Sequence, residues 1–597
     1  MKRTLLFGAL CLFVLAVLLS SCGGGTTTTT TTTQPTGTTT TTTKITTTTS
    51  NVPKTGGRYR MVSTMDIAGF DHGIWPQGFL NNVFIVNDTL VVGDWTKGAA
   101  GTGEVDWALN SQKRVDYTVG LIAESFSLPE PGTIIFKIRR GVHYWVDANN
   151  TMSKTINGRE VTADDVAFSL TRHIQSPLSY LNVTQPTAKK TTTATKTGDW
   201  EVTVKTALSD MDAVWLILGE REIWPRELIE KYNPNGITDW RNQVGTGPFI
   251  MKDFVSNSSA TFMRNPNYWG TDPIGPGKGQ KLPYLDFIDL FIISDASTNQ
   301  AAFRTGKLDV MRNVGHDDFL VMQQGTPNMQ YHKYVGGAAM IGMRTDKPDL
   351  PFSDIKVRKA LMMATDYNAL IERFQGGDGE ILGWPLVDTP AYHKAYMPLD
   401  EMPADVKALY TYNIDGAKAL LEQAGYGTGF KTTLLVSSQS SAVDYASALA
   451  AQWAKINVTL DLQIKEGVAY FTVLTSRKYD AMAAGFFVQP GPYAQLLPFR
   501  GDNTFNISWV KDAHVEEVYQ QITQYNLINQ PKVDELHRAL MPYVLGQAWY
   551  IPNPVPHLNN LWQPWLKNYH GEGQIGYQDA WIRYVWLDQD LKRQLGK

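Results

Sequence analysis

The chain has 597 residues, a net charge of −3, 19% charged residues and 43% hydrophobic ones. That balance leaves no basic face, charge block or RNA-binding signature, which excludes nucleic acid as a partner. Its only cysteines are Cys11 and Cys22, so a disulfide-stapled scaffold is excluded too.

Lys2 and Arg3 precede an apolar run over residues 5–19 that is too short and wrongly flanked for a spanning helix and reads as a secretory signal over residues 1–21. It ends Leu19-Ser20-Ser21-Cys22, which looks like a bacterial lipobox, with Cys22 as the lipidated residue and the membrane as a partner through that anchor. An ordinary signal peptide that happens to contain a cysteine is the alternative. From residue 26 to 50 nearly every residue is threonine, and such a stretch has nothing to bury that would offset the entropy of ordering. Residues 22–52 are therefore expected to be an extended tether, of which the threonine-rich stretch 26–50 reaches on the order of 80 Å at about 3.3 Å per residue.

The remainder exceeds the size at which a single core stops growing, so at least two lobes are expected. Residues 121–126, 133–138 and 141–145 read as strands of a small sheet. In REVTADDVAFSLTRH (residues 159–173), Thr162-Ala163-Asp164-Asp165 stands before the apolar period of Val166, Phe168 and Leu170. That is a capping-box helix start, not a catalytic carboxylate pair. Residues 249–255 and 260–263 alternate around Ser256-Asn257-Ser258-Ser259 as a β-hairpin, between the turn GTGPF (245–249) and NPNYW (265–269). LPYLDFIDLFII (282–293) reads as a strand, residues 299–307 as a helix ended by Gly306, and residues 308–310 as the next strand.

Beyond it, residues 339–344 form a strand. Ser353 or Asp354 caps a helix carrying Val357, Leu361, Ala364 and then Leu370 and Ile371 on its apolar face, with Lys356, Arg358 and Lys359 on a solvated one. Tyr412-Asn413-Ile414-Asp415 caps a helix over 416–424 stopped by Gly425. Strand 432–436, helix 442–455 and strand 458–464 alternate as in a βαβ unit.

The order REVTADDVAFSLTRH, GTGPF, NPNYW, LPYLD, AAFRTGKLDV (301–310) and FSDIKVRKALMMATDYNALI (352–371) resembles the family 5 solute-binding proteins, receptors of peptide, nickel and oligosaccharide ABC importers. The resemblance runs from about Gly56 to the C-terminus. It implies an α/β, two-lobed periplasmic-binding-protein-like fold with two interlobe crossings and an extra subdomain. Lobe one would span 53–325 with the subdomain inserted at about 86–195, lobe two 326–545, and 546–597 would return to lobe one. The crossings would fall near 315–335 and 535–550. A monomer is expected, with ABC permease transmembrane subunits as partners and a peptide-like or other small-molecule solute as ligand.

The resemblance also proposes ligand contacts. Trp75 stands in FDHGIW (70–75), where relatives carry a loop facing the cleft, and Arg344 stands where many relatives have asparagine; packing and a structural ion pair are the alternatives. In GFFVQPGPY (485–493), alignment on Phe486 and Phe487 puts Gln489 where peptide-binding relatives have the aspartate that accepts from the solute's α-ammonium. A neutral amide cannot complete that ion pair. With Phe486, Phe487, Tyr493, Trp384 and Trp75 as stacking faces, the pocket could suit a blocked peptide or an oligosaccharide; a peptide-like solute stays first and an oligosaccharide is the runner-up.

Catalytic signatures are missing: there is no G-x-S-x-G, H-E-x-x-H, C-x-x-C or G-x-x-x-x-G-K-[ST]. His316-Asp317-Asp318 has no third ligand nearby in sequence and reads as a surface loop, and Asp588 and Asp590 lack EF-hand spacing. No catalytic residue, metal or cofactor is expected. A secreted hydrolase is the different-class alternative.

Overall fold

The computed structural model describes residues 52–597 apart from 75–84, 110–113, 180, 183–184, 220, 487–490, 502, 504 and 576–578. Among the described residues no helix is long and apolar enough to cross a membrane.

Lobe one is built on the expected hairpin. Phe249–Val255 pairs antiparallel with Ser259–Arg264, and Asn257 takes the left-handed conformation the turn requires, at φ 57. Phe287–Ile292 pairs with the second hairpin strand, and Arg58–Ser63 joins it in parallel. The strand expected from 282 begins at Phe287 instead. Pro283 has no N–H to give a ladder, and Leu282, Tyr284 and Leu285 are buried as packing.

The subdomain is a four-stranded antiparallel sheet in the order Ala123–Ser127, Thr133–Ile138, Glu201–Lys205, Thr193–Gly198. Its strands lie between residues 123 and 205. Residues 141–145 contribute no strand, only a bridge from His143 to Glu160. The helix Ala163–Gln175 has its capping box: the Thr162 hydroxyl accepts from the Asp165 N–H, and the Asp165 carboxylate from the Thr162 N–H.

Lobe two carries a five-stranded sheet in the order Val458–Lys465, Phe430–Ser437, Met482–Phe486, Ala339–Met343, Tyr550–Pro552. The first three strands are mutually parallel, joined by Ser440–Trp453 and Gly467–Thr475 as crossover helices. One expected helix is two, Ile355–Met363 and Tyr367–Gln375, which share the apolar interior. Arg358 does not lie on a solvated face. It is buried, donating to the carbonyls of Phe352, Ser353 and Gln547, and burial pushes its pKa down to about 10.

Between the lobes, Val310–Val314 and Gln330–Val335 flank Val555–Trp562, whose start also pairs with Gly379–Glu380. These strands set the crossings. The first falls at residues 336–338, because Gln330–Val335 still belongs to this hinge sheet. The return falls at 553–554, because Tyr550–Pro552 is an edge of lobe two's sheet. The crossings run side by side: Gly336 N–H donates to Pro556 O at 2.8 Å, and Asn553 N–H to Ala339 O at 2.9 Å.

Candidate functional site

The chain between the helix Tyr367–Gln375 and the helix Ala404–Leu409 is shared between the lobes: Leu382, Trp384, Val387 and Met402 stay in lobe two's core, and other side chains enter lobe one's. Leu386, Ala391, Tyr392, Ala395 and Tyr396 pack within lobe one's buried cluster. From behind, lobe two holds this segment through the helix Gln530–Gly546: His537 Nδ1 lies 3.2 Å from Ala395 O, and Arg538 donates to Tyr396 O and pairs with Glu401. The segment is therefore one wall of a seam between the lobes.

Arg114, ahead of the turn Val115–Tyr117 of lobe one, is the principal link across it. Its Nε and Nη2 donate to Asp116 at 2.9 and 2.6 Å, which orients the guanidinium, while Nη1 donates to Ala391 O and lies 3.6 Å from Asp534 Oδ2. Asp534 is buried on the helix Gln530–Gly546 and takes a hydrogen bond from Gln530 at 2.7 Å. Burial raises its carboxyl above the ordinary value, against the pull of Gln530 and Arg114. A second link joins Asn526 Nδ2 of lobe two to Asp212 Oδ1 of lobe one at 3.0 Å. Tyr392 completes the described seam. Burial pushes the Tyr392 hydroxyl up, and Gly491 approaches it so closely, at φ +86, that a Cβ there would stand 2.9 Å from the hydroxyl oxygen.

Behind lobe one's wall, the stretch leading to residue 75 is anchored by buried charge. Arg172 grips Asp71 with two bonds of 2.7 Å, and the same carboxylate accepts from the Gly73 and Ile237 N–H groups. Glu222 accepts from the His72 N–H at 2.9 Å and from Trp224 Nε1 at 3.1 Å, with His72 Nδ1 2.8 Å away. Burial opposes its charge, yet the hydrogen-bonded His72 and the nearby Arg221 hold the Glu222 carboxyl well below the usual range.

The residues singled out from sequence fall on both sides of this picture. Trp75, Phe487, Gln489 and Cys22 lie outside the described residues. Phe486 ends a lobe-two strand, opposite Ala339. Trp384 is 2% exposed, its ring 4.7 Å from Tyr550 and 5.2 Å from Phe499, and as placed it offers no face to a solute. Arg344 is committed within its own lobe: it pairs with Asp346 at 2.9 and 2.6 Å, donates to Tyr479 O, and stacks 4.4 Å over Trp509. Tyr493 is buried beside Tyr519, whose hydroxyl donates to its own. The seam residues Arg114, Asp212, Tyr392, Asn526 and Asp534 escaped sequence reading, because nothing local marks partners so far apart in the chain. His316 opens the helix His316–Gly325 and is not in a surface loop.

A groove of about 720 Å³ lies elsewhere, between subdomain and lobe one, where Arg139 stacks 5.0 Å over Trp269 and Arg140 5.1 Å over Trp200. None of its lining comes from lobe two. Among the described residues no group of His, Cys, Asp and Glu could hold a metal ion.

Known proteins share this architecture. A dipeptide-binding protein of Pseudomonas aeruginosa is 24% identical over 478 residues, covering 75% of this chain and 83% of that one. Heme-binding protein A of Haemophilus influenzae is 27% identical over 456 residues, covering 72% and 78%. Among solved structures, the periplasmic binding protein DppA of Helicobacter pylori in complex with the peptide STSA superposes with a TM-score of 0.67 at 18% identity, covering 90% of this chain and 99% of that one. Residues 118–506, well over half of the chain, match the model of the bacterial extracellular solute-binding proteins, family 5 Middle. Two lobes meeting again across a polar seam beyond their paired crossings are what such a receptor needs, and the chain belongs to the family 5 extracellular solute-binding proteins, which are binding proteins and not enzymes.

Proposed function

We propose that this protein is the receptor of an ABC importer, held at the membrane by lipid on Cys22, that takes a peptide-like solute between its lobes and delivers it to the permease. The observation that carries this reading is the seam. Arg114 and Asn526 make polar links between the lobes away from the crossings, so closure about the crossings would enclose whatever lies between them. A peptide-like solute is favoured by two of the relatives, one named a dipeptide-binding protein and one solved with a bound peptide. The anchor is supported by the basic start, the apolar run and the tetrapeptide ending at Cys22. Several acyl chains would hold it stably where a single chain would not.

Gln489 tunes the preference. An amide in place of an aspartate gives up a charged hydrogen bond to a free α-ammonium, a loss of about one to two decades in Kd. Calorimetry of the wild type and Gln489→Asp against free peptides, N-acetylated peptides and short oligosaccharides tests this. Blocked peptides should bind the wild type, and the substitution should strengthen free peptides. Binding confined to oligosaccharides would overturn the peptide assignment, and chemical conversion of any ligand by purified protein would overturn the receptor. The anchor is tested separately: Cys22→Ala should release the protein from the membrane, and full retention would refute lipidation.

A further inference from the structure

The groove between the subdomain and lobe one holds uncommitted charge of both signs. Elsewhere in lobe one, Arg172, Arg312 and Arg583 each give their guanidinium to a buried carboxylate, that of Asp71, Asp579 and Asp88. In the groove, Arg139 uses only Nε, which donates to Leu121 O at 2.8 Å. Among the described residues its other two guanidinium nitrogens, and the side-chain nitrogens of Arg140 and Lys137, make no hydrogen bond or ion pair. Stacking on Trp269 and Trp200 fixes both guanidinium planes yet leaves their N–H edges free to donate. Trp269 is itself held from behind, its Nε1 donating to Asp88 Oδ2 at 2.9 Å.

Two carboxylates line the same groove. Glu201 stands opposite Lys137 in the antiparallel ladder, so both side chains rise from one face of the subdomain sheet, and Glu124 lies at the bulge between Ala123 and Ser125. Among the described residues neither forms an ion pair; Glu201 accepts only from the Thr197 hydroxyl, at 2.9 Å. Opposite charges that share a groove without pairing suit a ligand that carries both signs, and about 720 Å³ is the size of a small-molecule site. A phosphate fits the cationic side. Lys137, Arg139 and Arg140 offer more donors than the two oxygens of a carboxylate can use, and arginine presents them in the planar fork that matches an oxyanion. A primary ammonium fits the acidic side, where Glu124 and Glu201 accept its N–H groups.

We propose that this groove is a second binding site, for a phosphate ester that carries a primary ammonium, the chemistry shared by a phosphoethanolamine lipid headgroup and its soluble esters. The position of the groove brings the lipid source within reach. Its lobe-one wall, Trp269 and Thr271, continues into the loop against which Pro53 packs near the start of the described chain: a Cβ on Gly277 would stand 2.6 Å from the Asp272 carboxylate and 3.0 Å from Pro53. The groove thus lies beside the point from which the chain runs back toward Cys22. The inference goes beyond the receptor reading, since the groove takes no residue from lobe two and the solute plays no part in it.

Calorimetry of the full chain carrying Cys22→Ser, with glycerophosphoethanolamine as the probe, tests the site. Binding should saturate at one ligand per chain, and Arg140→Gln, a change at an exposed position that touches only the Trp200 ring, should weaken it about tenfold or more. Glu124→Gln should weaken the same probe by a similar factor and leave glycerol phosphate, which has no ammonium, unweakened. Absence of saturable binding, an affinity equal in wild type and Arg140→Gln, or glycerol phosphate bound as tightly as its ethanolamine ester overturns the site. Should Arg140→Gln not fold, Glu124→Gln decides, and an affinity for glycerophosphoethanolamine equal to the wild type's overturns it. Flotation with vesicles of phosphatidylglycerol, with and without phosphatidylethanolamine, separates the sources. Association that rises with phosphatidylethanolamine in the wild type and not in Arg140→Gln assigns the lipid headgroup; equal association, beside a bound soluble ester, assigns the free ester.

Discussion

The two lobes solve burial differently. Lobe one's interior is threaded with charge: Arg583 pairs with Asp88 at 2.9 Å, Arg312 with Asp579 at 2.6 Å, Lys592 with Asp309 at 3.0 Å, and Arg172 with Asp71. Lobe two's interior is aliphatic and aromatic, and among its described residues Arg358 and Asp534 are the charged ones that are buried. The difference follows from how each is assembled. Lobe two is largely regular βαβ structure, whose ladders and helices satisfy their own backbone groups. Lobe one gathers distant stretches of chain through loops, and their free N–H groups need side-chain acceptors. Asp309 serves the Arg60 N–H at 2.8 Å, and Asp71 serves those of Gly73 and Ile237. Charge in lobe one positions loops, and apolar packing in lobe two holds a frame.

Breaking one buried pair should show this contrast most strongly. Arg583→Met leaves Asp88 uncompensated beneath Tyr268 and Trp269 and should cost about 3–5 kcal/mol in chemical denaturation, much of it recovered by adding Asp88→Leu. A loss below about 1 kcal/mol would mean that water reaches the pair. The counterpart in lobe two is Leu449→Ala on the helix Ser440–Trp453, expected to cost about 2–5 kcal/mol through the cavity it leaves, with little dependence on pH.

Acid should probe the lobes more gently. Burial pushes His173 of lobe one down to about 3 and His537 of lobe two down to about 4. Each binds its proton more readily unfolded, near pH 6.5. The stability from keeping them neutral is therefore fully present above that pH and declines as pH falls toward the folded values, by about 1.4 kcal/mol per unit per histidine. Denaturation midpoints of wild type and His173→Gln between about pH 6.5 and pH 4 read the slope, and an unchanged slope in the variant would remove His173 from the account. The smallest expected effect is local: Thr162→Ala deletes the capping-box hydroxyl and should cost about 1 kcal/mol, seen as a small shift in melting temperature with solute binding unchanged.

Much of the frame was legible along the chain. The hairpin around Asn257, the Thr162 cap, a cap within residues 412–415 and the strand, helix, strand succession of lobe two each rest on periodicity and turn chemistry spanning a few residues. The crossings were located only roughly. Nothing along Gln330–Val335 or Tyr550–Pro552 says which sheet each joins, and what assigns them is the partner each finds, Val555–Trp562 for one and Ala339–Met343 for the other. Arg358 misled for a related reason: beside Lys356 and Lys359 it reads as a solvated base, yet it sits beneath three carbonyls contributed by other turns.

Sequence by itself determined the family, through motifs in a shared order, and the local elements, because caps, turns and amphipathic periods act over distances shorter than a helix. Tertiary structure alone decided the seam and the hinge. Arg114 meets Asp534, Asp212 meets Asn526, and Asp378 meets Lys333 and His557 only after strands far apart in the chain have paired. An ion pair depends on the separation of charges in space, which no local pattern of residues encodes.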